Sequence, residues 1–138
     1  MGTLLLDTSV ASLLHPKRRK GDLFLQYAEL LQGHVLAVSF QTVAELWSWP
    51  LANQWGTRQI KAFPQFVAQF VVLGYDPALS EIWAVVYAYS QKIGRRLEAG
   101  DNWIMATAIL WNLPLVTHDR DLLTVKIPGL VIISRLTE

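Results

Sequence analysis

The chain has no cysteine among its 138 residues. This absence excludes disulfide bonds and thiolate zinc sites, and it fits a reducing compartment, so we expect a cytoplasmic protein. Long apolar runs are also missing. The longest stretch without Asp, Glu, Lys or Arg, residues 102–118, contains two asparagines and a proline, which argues against a transmembrane helix. The N-terminal TLLL is too short for the apolar part of a signal peptide, so we expect neither membrane insertion nor export.

Several catalytic motifs are absent as well. The eight glycines form neither G-x-G-x-x-G nor a P-loop, and no G-x-S-x-G occurs, which argues against nucleotide binding by those motifs and against serine hydrolysis. The three histidines lack H-E-x-x-H spacing, and only His118, beside Asp119, is a candidate for testing. The net charge is +1, so nucleic-acid binding must depend on local patches such as KRRK at 17–20 and RR at 95–96.

Short apolar runs of strand type alternate with helical segments along the chain. The predicted strands are 3–6, 35–38, a short run within 70–77, 115–117 and 131–133. The predicted helices include 8–14, 23–32, 39–49, 78–93 and 101–112. This alternation predicts an α/β fold with a mainly parallel sheet. The length favours one domain over residues 1–138, and no linker or repeat interrupts it.

Four acidic residues fall where predicted strands end or on helices that could flank that edge. Asp7 and Asp119 follow strands, whereas Glu45 and Asp101 lie on helices. Because ligands of parallel sheets bind beyond the C-terminal ends of the strands, the four carboxylates could converge there. Each acid also has a simpler interpretation, as a turn residue, a helix N-cap in the case of Asp101, or a solvated helix position in the case of Glu45.

Converging carboxylates need a compensating charge. Two of them about 4 Å apart repel by roughly 4 kcal/mol at an effective dielectric of ~20. Mg²⁺ or Mn²⁺, which prefer all-oxygen sites, would offset this charge and provide water for attack on phosphorus. Asp121 is an alternative to Asp119, which we prefer because it lies nearer the strand end. Thr8 and Ser9 could bind a metal-ligated water or a phosphate, or could equally cap the helix that follows Asp7.

Four segments, in order, resemble the motifs of PIN-domain ribonucleases, particularly the VapC-type toxins of toxin–antitoxin pairs. They are LLLDTSV at 4–10, TVAEL at 42–46, DNWIMATA at 101–108 and LVTHDRDL at 115–122, and the resemblance extends over about residues 3–134. It implies a three-layer α/β/α fold in a single PIN-like domain, dependence on Mg²⁺ or Mn²⁺, and endonucleolytic cleavage of RNA.

The resemblance also implies roles for individual residues. It matches Asp7, Glu45, Asp101 and Asp119 to the family's acidic quartet and Thr117 to the polar residue that commonly precedes the last acid. The chain departs from the family at three positions, none of them an acid. Met105 replaces a usually small residue, and Leu122 and Leu123 stand where an aromatic residue often follows, so the departures bear on the shape of the substrate pocket.

Partners are expected on two grounds. Hydrophobic residues make up 52% of the chain, and tryptophans 47, 49 and 55 cluster after Glu45, which suggests that another chain covers this region. The simpler interpretation is that these tryptophans fill the protein's own core. The resemblance implies a homodimer inhibited by a small antitoxin. The KRRK segment is most simply a solvated loop, but Arg18 and Arg19 could contact RNA phosphates.

Two other functions stay open at the level of the sequence. The first is a catalytically inactive RNA- or protein-binding module on the same fold. The second is a Mg²⁺-dependent phosphatase, although DTSV at 7–10 lacks the second acid that such enzymes usually place two residues after the first. Metal-dependent RNA cleavage that is lost in EDTA would separate all three.

Overall fold

Five parallel strands form one sheet in the computed structural model, which describes residues 2–95 and 97–136. The strands are β1 (Thr3–Leu6), β2 (Val35–Ser39), β3 (Val71–Leu73), β4 (Leu115–Val116) and β5 (Ile132–Ile133). Their order across the sheet is β3-β2-β1-β4-β5, and every adjacent pair is parallel. The predicted α/β class with a mainly parallel sheet is therefore confirmed.

Helices connect the strands and cover both faces of the sheet. They are α1 (Thr8–Ala11), α2 (Asp22–Leu31), α3 (Phe40–Ala52), α4 (Thr57–Val67), α5 (Pro77–Lys92) and α6 (Ala99–Trp111). Two 3₁₀ turns, Ser12–Leu14 and Arg120–Leu122, complete the described elements. No helix within the described ranges is both long enough and apolar enough to cross a membrane.

The alternation of side chains along β1 explains the three layers. Leu4 and Leu6 point into a core with Tyr27 of α2 and Phe63 of α4. Leu5, which is fully buried, points into a second core that includes residues of α5 and α6. Since successive strand residues face opposite sides of a sheet, an uninterrupted apolar run such as Leu4–Leu6 requires a helical layer on each side.

Several predicted boundaries differ from the observed ones. Helix α3 extends beyond the predicted end at residue 49, and Pro50 lies inside it, just as Pro64 lies inside α4. A proline keeps a helical φ but loses one hydrogen bond and crowds the preceding turn, and Pro50 lies in the last turn of α3 with its ring buried. The predicted N-cap role of Asp101 is also wrong. Helix α6 begins at Ala99 with Glu98 as N-cap, so Asp101 lies inside the first turn.

The two central strands set the position of the candidate site. β1 and β4 are adjacent, and the backbone N–H of Asp7 donates to the carbonyl of Val116 at 2.9 Å. This bond carries the pairing one residue beyond β1, so the segments after the two strands begin side by side. Asp7 and the Thr117–Asp119 segment consequently share the C-terminal edge of the sheet.

Candidate active site

Asp7 is the most buried acid of the site, with 4% of its surface exposed. One carboxylate oxygen accepts from the backbone N–H of Thr8 at 2.8 Å, and the other accepts from the hydroxyls of Ser9 at 2.9 Å and Thr117 at 2.7 Å. Burial raises the pKa of Asp7, the hydrogen bonds from Thr117, Ser9 and Thr8 oppose this rise, and the charge of Asp119 adds to it. The surrounding donors therefore fix the orientation of a carboxylate that the protein only partly stabilises in its charged form.

The segment after β4 is joined to Asp7 through hydroxyl groups. Thr117 donates to Asp7 and accepts from the backbone N–H of Asp119 at 3.0 Å, while the N–H of His118 donates to the Ser9 hydroxyl at 3.0 Å. Asp119 also accepts from the N–H of Asp121 at 2.9 Å and so caps the following 3₁₀ turn. The predicted supporting residues Ser9 and Thr117 thus act on the carboxylate of Asp7 and on the approach of Asp119.

Asp119 and Asp121 face different surroundings. The charge of Asp119 raises the pKa of both Asp7 and Asp101, so its carboxylate lies among the other acids. Asp121 is 75% exposed and lies 3.8 Å from the guanidinium of Arg95. The structure therefore brings Asp119, rather than Asp121, to the acidic cluster.

Glu45 approaches the cluster from α3 and is held by two side chains, Thr8 and Gln41. Its carboxylate accepts from the Thr8 hydroxyl at 2.5 Å and from the Gln41 amide at 3.3 Å, and the Thr42 hydroxyl lies 3.1 Å from that of Thr8. The sequence alone did not identify Gln41 or Thr42. Their positions four and three residues before Glu45 place them on the same face of the helix, and this spacing is the signal that could have revealed them.

Gly100 allows the start of α6 to approach α3. A Cβ atom at this position would lie 2.9 Å from an oxygen of Glu45 and 2.9 Å from the amide nitrogen of Gln41. Both distances are shorter than normal contacts, so only glycine fits without displacing these side chains. Gly100 was not a predicted site residue, because the need for it arises from the packing of two helices.

Asp101 has the most perturbed acidity of the cluster. Burial, followed by the charges of Asp7, Asp119, Glu45 and Glu98, raises the pKa of Asp101 to about 7. Among the described residues none donates a hydrogen bond to its carboxylate. Capping therefore does not explain the acidity of Asp101, whereas its burial together with the neighbouring negative charges does.

The four acids suit a hard divalent cation by their chemistry, although they do not form a finished cage. Within residues 2–95 and 97–136, no three acidic or histidine side chains are arranged to hold a metal as they stand. The reason is visible at Asp7 and Glu45, whose oxygens face nearby hydroxyl, amide and N–H donors. The donor set contains only oxygen, and the charges of Asp7, Asp119 and Glu45 add to the effect of burial on the pKa of Asp101, so Mg²⁺ or Mn²⁺ would fit.

Tyr27 is a buried residue that supports the site from α2. Its hydroxyl lies 2.6 Å from Nδ1 of His118, donates to the carbonyl of Thr117 at 3.2 Å and accepts from the N–H of Arg135 at 3.2 Å. These contacts hold the segment that carries Asp119. His118 is thus engaged in a structural hydrogen bond, as the general behaviour of isolated histidines suggested.

The basic segment after α1 packs on aromatic rings. The ammonium of Lys17 lies 4.1 Å from the ring centre of Trp55, the guanidinium of Arg18 lies 5.3 Å from that of Trp49, and Arg19 donates to the carbonyl of Leu14. The ring centre of Trp47 lies 4.7 Å from that of Phe63, and Trp47 is half-buried, as are Trp49 and Trp55. The chain's own core therefore accounts for much of this tryptophan cluster, as the simpler interpretation held.

Comparisons with known proteins agree with this architecture. A family model for the PIN domain matches residues 4–128. The chain is 30% identical over 120 residues to Ribonuclease VapC4 of Mycobacterium tuberculosis. The matched region covers 85% of this chain and 86% of that protein. The VapBC-5 toxin–antitoxin structure of Mycobacterium tuberculosis contains a chain that is 27% identical, with a TM-score of 0.69. The match covers 96% of the present chain and 98% of that one. VapBC2 of Rickettsia felis, bound to promoter DNA, contains a chain of similar fold, with 20% identity and a TM-score of 0.76. The match covers 97% of the present chain and 98% of that one.

A substitution at Gly100 tests the contact between α3 and α6. In Gly100→Ala, the new Cβ displaces the carboxylate of Glu45, whereas the intrinsic helix propensity of alanine favours folding by up to ~1 kcal/mol. We expect the melting temperature to stay within a few degrees of wild type while Mn²⁺ affinity falls at least ~10-fold. Scanning and titration calorimetry measure the two quantities. Unchanged Mn²⁺ affinity would show that this close approach has no role in the site.

The crowding of the acids predicts an unusual pH dependence of stability without metal. In the native protein Asp101 retains its proton up to about pH 7, whereas in the unfolded chain it loses the proton near its ordinary pKa of 3.8. The free energy of unfolding should therefore fall as pH rises from ~4 to ~7. Melting temperatures in EDTA at pH 5 and 7.5 measure this slope.

The matched variant is Asp101→Asn, which cannot titrate. Its free energy of unfolding should fall less than that of wild type over the same pH range. The difference between the two proteins isolates the effect of Asp101, because His15 is present in both. The lowered pKa of His15 makes the free energy of unfolding rise with pH, which is the opposite direction. Identical slopes in the two proteins would contradict the raised pKa of Asp101.

Proposed function

The chain belongs to the PIN domain family, in its VapC type, and from this premise we propose that it is a Mg²⁺- or Mn²⁺-dependent endoribonuclease. It hydrolyses RNA phosphodiester bonds and acts as the toxin of a toxin–antitoxin pair. The observation that carries the proposal is the convergence of Asp7, Glu45, Asp101 and Asp119 from separate elements at one edge of the sheet, where burial and then the charges of the other acids raise the pKa of Asp101 to about 7.

Each part of the site has a role in this proposal. The four acids would hold the cation or cations, and when bound, Mg²⁺ or Mn²⁺ would activate water and offset the negative charge that develops on the phosphate. Thr117 and Ser9 orient Asp7, and Thr8 orients Glu45. These hydroxyls favour a positioning role for Thr8 and Ser9 over direct contact with phosphate.

The partners follow from the same premise. The 27% identical chain from Mycobacterium tuberculosis belongs to the VapBC family of toxin–antitoxin systems, which supports a small antitoxin as the partner of this chain. We propose a single catalytic domain over residues 1–138, a homodimer and a cytoplasmic location. The acidic cluster is the surface that a cationic antitoxin side chain would neutralise, which would exclude the metal and inhibit cleavage.

Neutralising Asp101 tests the site directly. Asp101→Asn keeps the size of the side chain but removes a metal-binding charge, so RNA cleavage by purified protein should fall at least ~100-fold while folding survives. Above pH 7 in EDTA, the variant should be at least as stable as wild type because a repelling charge is gone. Cleavage of total RNA with Mn²⁺, repeated in EDTA, measures the loss.

A matched control comes from α2. Asp22 is also an acid in the first turn of a helix, but it is exposed and its helix connects β1 to β2, whereas the helix of Asp101 precedes β4. Asp22→Asn should retain full activity. An inactive binding module predicts no metal-dependent cleavage by any of these proteins, and near-normal cleavage by Asp101→Asn would sink the assignment of the site.

The basic segment is proposed to bind RNA through Arg18 and Arg19. Replacing both with glutamine should weaken RNA binding and lower the slope of log affinity against log salt by about 0.7 for each single-strand phosphate that these arginines neutralise. Turnover at saturating RNA should change little. Lys126→Gln, at an exposed position elsewhere, is the control. A double variant with the salt slope of wild type would reduce this segment to a solvated loop.

A further inference from the structure

A cleft of about 880 Å³ lies between the second half of α5 and the start of α6. This volume is within the ~300–1,000 Å³ that binding sites for small organic groups occupy. Its walls include Trp83, Tyr87, Arg95, Glu98 and Asn102. None of these residues belongs to the acidic cluster, but Asn102 directly follows Asp101, and the charge of Glu98 is close enough to raise the pKa of Asp101. The cleft therefore opens beside the candidate active site.

Asn102 is the unusual residue of this cleft. It is 1% exposed, and its amide oxygen has no hydrogen-bond partner among the described residues. A buried acceptor without a partner destabilises the folded state, and such groups in folded proteins call for an explanation. An amide of this kind in the wall of a cleft is suited to accept a hydrogen bond from a ligand.

Two aromatic rings form the adjacent wall. Trp83 and Tyr87 are one turn apart on α5, their ring centres are 5.3 Å apart, and their planes differ by only 9°. The indole N–H of Trp83 donates to the carbonyl of Ala99 at 3.4 Å, which holds the pair against α6. Tyr87 remains 46% exposed, so part of its surface is free to receive another flat ring.

The charges at the rim indicate which part of a nucleotide would enter. Glu98 lies at the rim and repels phosphate, so a nucleic-acid backbone would stay outside the cleft while an uncharged base could enter. Arg95 lies on the same rim, donates to the hydroxyl of Thr124 and pairs with Asp121 at 3.8 Å. It is therefore held near the segment that carries Asp119, where it can contact the backbone.

We propose that this cleft binds one unpaired nucleobase of the RNA, next to the phosphate that is cleaved. The base stacks on Tyr87 and forms a hydrogen bond with Asn102, which gives the enzyme a base preference close to the cut. Stacking on aromatic side chains combined with hydrogen bonds to base edges is the usual way in which proteins read single-stranded RNA. This inference rests on the proposed ribonuclease function.

The experiment separates base binding from cleavage. Affinities are measured in EDTA at low salt for labelled pentanucleotides A5, C5 and U5 and for a pentamer of abasic riboses with the same phosphates. Because the electrostatic contribution is matched, any difference reports the base. We expect wild type to bind at least one base-containing RNA ~10-fold more tightly than the abasic chain, in line with stacking of one base.

Three variants complete the test. Asn102→Leu keeps a similar shape and removes the unpaired amide, so it should fold at least as stably as wild type while the ratio of base-containing to abasic affinity drops several-fold. Tyr87→Leu should lower the ratio similarly. Trp111→Leu, at another exposed aromatic residue outside the cleft, should keep it. A wild-type ratio near one, or an unchanged ratio in both Asn102→Leu and Tyr87→Leu, would overturn the inference.

A second copy of the chain is the rival occupant of this aromatic surface. Sedimentation of Tyr87→Arg at assay concentration distinguishes the two cases: the mass of wild type is expected, and conversion of a dimer to monomers would overturn the proposal. Cleavage of total RNA with Mn²⁺ is scored separately. Base-selective binding without any cleavage would refute the nuclease function alone, and cleavage without base-selective binding would refute only the base site.

Discussion

Repulsion between carboxylates at the C-terminal edge of the sheet is the constraint on which the rest of the site depends. Asp7 is buried there, and three neighbouring donors hold its oxygens. Glu45 is turned toward Thr8, and Gly100 keeps the space that this arrangement needs. Asp101 has no such donor among the described residues, and its burial together with the charges of the other acids raises its pKa. A divalent cation would relieve this charge at all four positions together.

The start of α6 shows how closely catalysis and recognition are combined. Three consecutive residues have different functions: Gly100 admits the carboxylate of Glu45, Asp101 belongs to the acidic cluster, and Asn102 faces the neighbouring cleft. Consecutive helix residues point about 100° apart, so one turn can supply side chains to three environments. The proposed base preference is therefore built into the same segment as the chemistry.

The sequence was sufficient to predict the parallel sheet and the edge at which the acids lie together, because both follow local rules. Apolar runs that end at Asp7 and near Asp119 identify strand ends, and parallel strands bring such ends together. Gly100 could not be predicted in the same way, because its role depends on how closely α3 and α6 pack. The tryptophans after Glu45 suggested an interface, yet they pack largely on their own chain, since bulky aromatic residues serve cores and interfaces equally well.

Proton release on metal binding tests the central claim most directly. If a cation replaces the proton that burial and the neighbouring acids keep on Asp101, Mn²⁺ binding near pH 7 should release a substantial fraction of a proton. This release should decline toward zero as the pH approaches 9. Calorimetric titrations in buffers with different ionisation enthalpies measure it. Mn²⁺ binding with no proton release at pH 7, or no saturable Mn²⁺ binding at all, would contradict a shared cation site.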